Sequence, residues 1–198
     1  MSFLFDECSI YDLIDENDMK GFSCGDQDLD DFFTNDCFEY AKQLLGKSYC
    51  YKLDVDPKKV VCAFTLANAG IRVDDLPNAR KKKIETDIPH VKALKDCPAV
   101  LIGRLAVSQE FQSRHIGSDV LEYIKYWFVD PNNKTGCRFV IVDAYNNEET
   151  IAFYKRNGFK TVFSSDEQEK QYRHIKSEVN LRTQLMYFDL LSATKDVV

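Results

Sequence analysis

The stretch Cys97–Phe128, CPAVLIGRLAVSQEFQSRHIGSDVLEYIKYWF, constrains the chain more than any other. Ala99 to Val107 is an apolar run broken only by Gly103 and Arg104, which reads as a buried strand. Gln109 to His115 is a short polar turn. The residues after it carry apolar side chains at 120, 121, 124, 127 and 128, the period of an amphipathic helix. A strand feeding a tight loop that opens a helix leaves several backbone N–H groups unpaired at the helix start, and such a terminus binds anions, phosphates above all.

The rest of the chain is read around that stretch. Its 198 residues are 44% hydrophobic, enough for one domain with a full core, and 14 Phe and 10 Tyr make that core aromatic. No run approaches the ~18 apolar residues of a membrane span, and MSFLFDECSIYD lacks the basic and apolar regions of a signal peptide. The seven cysteines are scattered, odd in number and never in C-x-x-C spacing. We read them as reduced core thiols of a cytoplasmic protein with no metal site. The net charge of −6 is uneven: residues 1–36 carry −10, whereas 80–95 carry +4 through Arg80–Lys83, Lys92 and Lys95. The Asp cluster at 26, 28, 30 and 31 lacks the Gly and Glu of a calcium loop at its sixth and twelfth positions, Asp31 and Cys37. Acids at a helix start account for it, with an acidic rim for a cationic substrate as the alternative.

Taken in order, Cys8–Ile14 reads as a strand. Asp26 starts a helix to about Leu45, with Leu29, Phe32, Phe33, Cys37, Tyr40 and Leu44 on one face and Gly46 at its end. Ser48–Val55 and Val60–Ile71 form a hairpin about an Asp56–Lys59 turn. Residues 72–98 are an excursion with one helix. After the central strand–loop–helix, Arg138–Ala144 is a central strand, Asn146–Asn157 a helix closed by Gly158, and Phe159–Ser164 and Arg182–Leu191 are strands. Residues 165–180 read as a mobile insertion and 192–198 as a frayed tail. The class is α/β with a mixed sheet in a single domain, 1–198.

Gln112 to Gly117 matches a Q/R-x-x-G-x-G/A loop at Gln112 and Gly117, with His115 at the first Gly. Asn147 to Phe159 matches N-x-x-A-x-x-F-Y-x-x-x-G-F at Asn147, Phe153, Tyr154, Gly158 and Phe159, with Thr150 at the Ala position. On these two motifs, spread over about residues 8–190, the chain resembles the GNAT family of acyl-CoA-dependent N-acetyltransferases. That resemblance implies a mixed sheet of six or seven strands with helices on both faces, and acetyl-CoA as acyl donor. It implies a cofactor site of Leu105, Ala106 and Val107 along pantetheine and Gln112, Ser113, Arg114, His115, Ile116, Gly117 and Ser118 at the pyrophosphate, with Asn147 beside it. Tyr154 is the implied acid that protonates the leaving sulfur. His115 puts a Cβ where glycine is usual, so it must avoid positive φ or bear strain. Val100–Val107 offers no carboxylate as general base, which leaves a backbone carbonyl, a water chain, an acid from the N-terminal segment, or an amine of low enough pKa to need none.

Phe22-Ser23-Cys24-Gly25-Asp26 with Leu29 and Phe32, and Leu101–Val107 (LIGRLAV), resemble the branch of that family that includes toxins acetylating aminoacyl-tRNA. The acidic N-terminus sets this reading second. The first is direct acetyl transfer to a primary amine of a small molecule or peptide, with tRNA as the other acceptor, no membrane partner and a homodimer as a common family state. A GNAT-like binding protein without catalysis is the third.

Overall fold

The computed structural model describes residues 2–90 and 94–194. The elements run α1 (Phe3–Glu7), β1 (Cys8–Asp12), α2 (Gln27–Asp31), a π-turn (Phe32–Asp36), α3 (Cys37–Lys42), β2 (Lys47–Leu53), β3 (Asp56–Arg72) and α4 (Asn78–Ile84). They continue β4 (Asp96–Val107), α5 (Ile116–Val129), β5 (Phe139–Tyr145), α6 (Glu148–Arg156), β6 (Lys160–Thr161), α7 (Asp166–Tyr172), β7 (Thr183–Asp189) and α8 (Leu191–Thr194). The strands form one seven-stranded sheet in the order β1-β2-β3-β4-β5-β7-β6. β1/β2, β2/β3, β5/β7 and β6/β7 are antiparallel. The α/β class and the sheet size are as expected. Contacts divide the chain into two compact units, Met1–Asn68 with Ile102–Ile124, and Ala69–Leu101 with Lys125–Val198.

In the first unit, α2 starts where the sequence placed it. Asp26 Oδ1 accepts the N–H groups of Asp28 and Leu29, satisfying two donors at the helix start. The helix then departs from regular form. Thr34 Oγ1 donates to the Asp30 carbonyl at 2.8 Å, and the Cys37 N–H reaches the Phe32 carbonyl, a five-residue step. The wider turn rotates every later side chain. Phe33, Cys37 and Phe38 are therefore buried, while Tyr40 and Leu44, expected on the inner face, are 46% and 90% exposed. The left-handed residue that ends the helix is Leu44 (φ 59°), not Gly46. The β2–β3 turn falls at Asp54-Val55, two residues before the Asp56–Lys59 site read from the sequence. Phe22, Phe32, Phe33, Cys50, Ala63 and Ala106 belong to the core of this unit.

In the second unit the excursion after β3 contains α4, which carries Arg80–Lys83. Its Ile84 is buried with Ile71, Phe139, Phe163 and Tyr172. Lys92 and its neighbours lie outside the described residues, as does the tail beyond Thr194. The 165–180 segment, expected to be mobile, begins with α7. The Tyr172 hydroxyl accepts the Arg72 N–H at 3.1 Å, and the buried Glu169 carboxylate accepts the Leu185 N–H at 2.7 Å. Arg173 bridges Glu169 and Asp143, so α7 is fastened to β3, β5 and β7.

All seven cysteines are free thiols, five of them buried. Burial pushes Cys8 and Cys97 up to about 11 and Cys50 up to about 12. The unfolded chain therefore loses thiol protons at lower pH than the native state, and stability falls as pH rises through that window. The melting temperature is expected to hold up to about pH 8.5, the pKa of a free thiol, and to drop steadily towards pH 11, as a thermal scan across that range will show.

Candidate active site

The loop before α5 takes its shape from the segment that follows Phe22. The Asp30 carboxylate accepts the Cys24 N–H and the Ser23 hydroxyl, both at 2.7 Å. Burial raises this carboxyl, and those hydrogen bonds outweigh it and leave the pKa below the usual value. The curl so formed turns its carbonyls outward. The Ser23 carbonyl accepts the Gln109 N–H at 2.9 Å. The Cys24 carbonyl accepts Gln112 Nε2 at 2.8 Å, and the same amide reaches the Val107 carbonyl at 3.2 Å. Gly25 suits this turn: its φ is +87°, which L side chains rarely adopt, and a Cβ there would lie 2.6 Å from Gln109 Nε2 and displace that amide. Thus the two segments that resemble the tRNA-acetylating branch are bridged by the Gln112 amide, which bonds a carbonyl of each. Asp30 and Gln109 were not singled out from the sequence. Asp30 looked like one more acid at a helix start, and no pattern in the chain marks its turn-back to Cys24.

Held this way, the loop adopts an alternating backbone. Ser113 (φ 63°) and His115 (φ 61°) are left-handed, and Arg114 between them is not. Such alternation curves successive N–H groups into a concavity that suits an anion. The N–H groups of Arg114, His115, Ile116 and Gly117 donate to no acceptor among the described residues. Ser118 differs: its N–H already donates to the His115 carbonyl at 2.9 Å, in the first turn of α5. The Arg114 guanidinium lies over the rings of Phe3 and Phe111, 5.0 and 5.5 Å from their centroids, and the residue is exposed. His115 thus bears the strain that the sequence raised as one of two outcomes. On β4, Ala106 is buried in the core, whereas Leu105 and Val107 are only partly covered. Gln112 braces the loop through its amide. These residues fit a diphosphate with a chain running back along β4.

In the second unit Asn147 caps α6, its Oδ1 accepting the Thr150 N–H at 2.8 Å. Tyr154 occupies the last turn. Its ring meets Phe153 and Phe159 edge-on, with centroids 5.1 and 5.4 Å away. The Phe159 N–H bonds the Tyr154 carbonyl and the Gly158 N–H the Lys155 carbonyl, both at 3.0 Å, the paired closure of a helix C-terminus. Gly158 holds φ +82° there. The Tyr154 hydroxyl has no hydrogen-bond partner among the described residues, and burial pushes its pKa up to about 12. Among the described residues no group of His, Cys, Asp and Glu could hold a metal ion, and no helix is long and apolar enough to cross a membrane.

Comparison with known proteins accords with this geometry. Residues 79–161 match the acetyltransferase (GNAT) domain. The chain is an acyl-CoA-dependent N-acetyltransferase, similar over those residues to the GNAT domain. Over 146 residues it is 27% identical to a tRNA-acetylating toxin of Mycobacterium tuberculosis, covering 74% of this chain and 80% of that protein. Its fold is similar to AtaT complexed with acetyl-methionyl-tRNAfMet (TM-score 0.72, 21% identity, 97% of this chain and 100% of the other). It is also similar to AtaTR bound with AcCoA (TM-score 0.66, 20% identity, 98% and 99%), and to a tyrosine-to-phenylalanine variant of KacT (TM-score 0.69, 21% identity, 96% and 99%).

A left-handed His costs roughly 1 kcal/mol relative to glycine. His115→Gly is expected to raise stability in denaturant titration by about that amount and to leave acyl-CoA affinity within about threefold, since the N–H groups stay. His115→Val should lower both.

Proposed function

We propose that this protein transfers an acetyl group from acetyl-CoA to the α-amino group of an aminoacyl-tRNA, and that it is a toxin of that kind. The observation that carries the reading is the 27% identity to a tRNA-acetylating toxin over 80% of that protein's length. The Gln112 amide, which bridges the Phe22–Asp26 curl and the end of β4, supports it. This reverses the order reached from sequence alone, where a small-molecule or peptide amine came first.

Bound acetyl-CoA would bring an activated acetyl thioester to the site. The N–H groups of Arg114–Gly117 and the Arg114 guanidinium would hold its pyrophosphate. Gln112 and Ser113 set the loop, and Leu105, Ala106 and Val107 orient the pantetheine. The neutral amine would attack the thioester carbonyl, the C–N bond forming as the C–S bond breaks. Tyr154, protonated at neutral pH, would give the departing sulfur its hydrogen bond, and the proton lost by the amine would end on that sulfur through Tyr154 or water. No carboxylate stands between Val100 and Val107 to deprotonate an amine. An α-amino group, with a pKa near 8, is substantially neutral at physiological pH, whereas a lysine side chain, near 10.4, is not. The missing base therefore suits an α-amino acceptor.

The acidic N-terminus, which had argued against tRNA, is partly occupied within the fold. Asp15 and Asp26 cap helices, Asp18 pairs with Lys52, and Asp30 binds Cys24. Lys82 and Lys83 on α4 are exposed, with no ion pair among the described residues, and supply phosphate contacts.

Four measurements test the proposal. Purified protein should acetylate an aminoacyl-tRNA and turn over free lysine poorly. Rapid acetylation of small amines without any on tRNA would return the function to the generic reading. Tyr154→Phe should cut turnover ~10²-fold or more with acetyl-CoA binding intact, and should relieve growth arrest on expression. The rate should rise with pH to a plateau set by the amine near pH 8, with no loss from Tyr154 ionisation until the pH approaches 12. Replacing both Lys82 and Lys83 by Glu should weaken tRNA use while sparing acetyl-CoA binding. It should also make the log–log salt dependence about two units shallower.

A further inference from the structure

Lysine is almost never fully buried unless its charge is compensated. Lys125 is 4% exposed, on a helix whose inner face is otherwise apolar. Its Nζ donates to the Asn157 carbonyl at 2.9 Å. Asn157 is the residue that closes α6: its N–H bonds the carbonyls of Phe153 and Tyr154, and its Nδ2 bonds the Phe153 carbonyl again at 2.9 Å. The same ammonium lies 4.3 Å from the centroid of the Phe188 ring. Phe188 packs on Phe159, and Phe159 on Tyr154, with centroids 5.8 and 5.4 Å apart. A Cβ on Gly158 would lie 3.0 Å from Phe188, so glycine keeps this packing closed. One cation thus grips the turn carrying Tyr154 twice, through the backbone of Asn157 and through a line of three rings. A cation at the carbonyl end of a helix is also favoured by the helix dipole.

We propose that Lys125 is a positioning residue for catalysis: its buried ammonium fixes the C-terminal turn of α6 and so sets where the Tyr154 hydroxyl stands. The proposal rests on the reading of Tyr154 as the acid. A displacement of about 1 Å at a reacting group can cost ~100-fold in rate, so a residue that touches no substrate can still control turnover.

The test is a double-mutant cycle of Lys125→Met and Tyr154→Phe, scored by kcat, by KM for acetyl-CoA and by melting temperature. Lys125→Met alone should lower kcat roughly 10- to 100-fold, with KM for acetyl-CoA within about twofold because the donor loop is untouched. In the Tyr154→Phe background the same change should cost less than about twofold, since there is no hydroxyl left to misplace. A general loss of stability would not produce that cancellation. An equal loss in both backgrounds, or an unchanged kcat in folded Lys125→Met, overturns the proposal. Unchanged turnover in Tyr154→Phe alone overturns instead the reading it rests on. Lys125→Gln, which keeps an N–H donor for Asn157, is measured in parallel and should retain more activity than Lys125→Met. If neither variant folds, Lys125 is a determinant of the fold and the positioning role is refuted.

Discussion

The hydrogen bonds between the Ser23–Cys24 curl and the loop after β4 are the constraint on which the shape of that loop depends. Two consecutive backbone carbonyls, freed by the turn at Gly25, take the Gln109 N–H and the Gln112 amide. Two non-glycine residues, Ser113 and His115, can then stay left-handed. Such residues persist only where their surroundings over-determine them. Here the surroundings include the curl, the end of β4 at Val107, and the Phe3–Phe111 stack under Arg114. The loop therefore does not need the usual glycine at 115 to keep its shape. Its strain is offset by contacts made some ninety residues upstream, between Cys24 and Gln112.

This arrangement shows why the site was partly legible in the sequence. The apolar run of β4, the amphipathic period of α5 and the FYKRNGF segment are local signals, and each became the element it announced. Asn147 as a cap and Gly158 as a left-handed closure are also local, since each follows from the chemistry of one side chain or its absence. The curl at Phe22–Asp26 could be matched as a pattern but not explained, because its partners Gln109 and Gln112 are distant in sequence. The inner face of the α2–α3 segment was misread for a different reason. A 3.6-residue period cannot anticipate a π-turn, and one wide turn at Phe32–Asp36 moved Tyr40 and Leu44 outward and Phe38 inward. The anchoring of α7 was equally hidden. Its charged composition suggests a solvated loop, and only the fold brings Glu169 to the Leu185 N–H and to Arg173.

Charge is where composition says least about the surface. A segment at −10 argues against a polyanionic substrate if its acids face solvent freely. Several of these acids satisfy backbone donors or pair with Lys52 within the first unit. Net charge is thus a poor guide to which surface meets a substrate, and the exposed Lys82 and Lys83 on α4 are more informative than the total of −6.

The acid and the acceptor can be argued together. A Tyr154 hydroxyl pushed up to about 12 stays protonated at neutral pH, so on the proposed reading it is available as a donor to a departing sulfur. Its pKa lies above that of a thiol, near 8.5. Full transfer is therefore uphill at equilibrium, and the phenol acts chiefly by a hydrogen bond that strengthens as the sulfur becomes anionic. The value of such a bond depends on the placement of the hydroxyl, because the bond weakens steeply with angle and distance. A tyrosine that works this way needs a rigid mount more than a tuned pKa. The doubly closed turn at Asn157–Phe159, the aromatic line to Phe188 and the buried Lys125 provide one. With no carboxylate between Val100 and Val107, an amine that is already neutral at working pH needs the least help from the protein, which is the physical link between the proposed acid and the proposed α-amino acceptor.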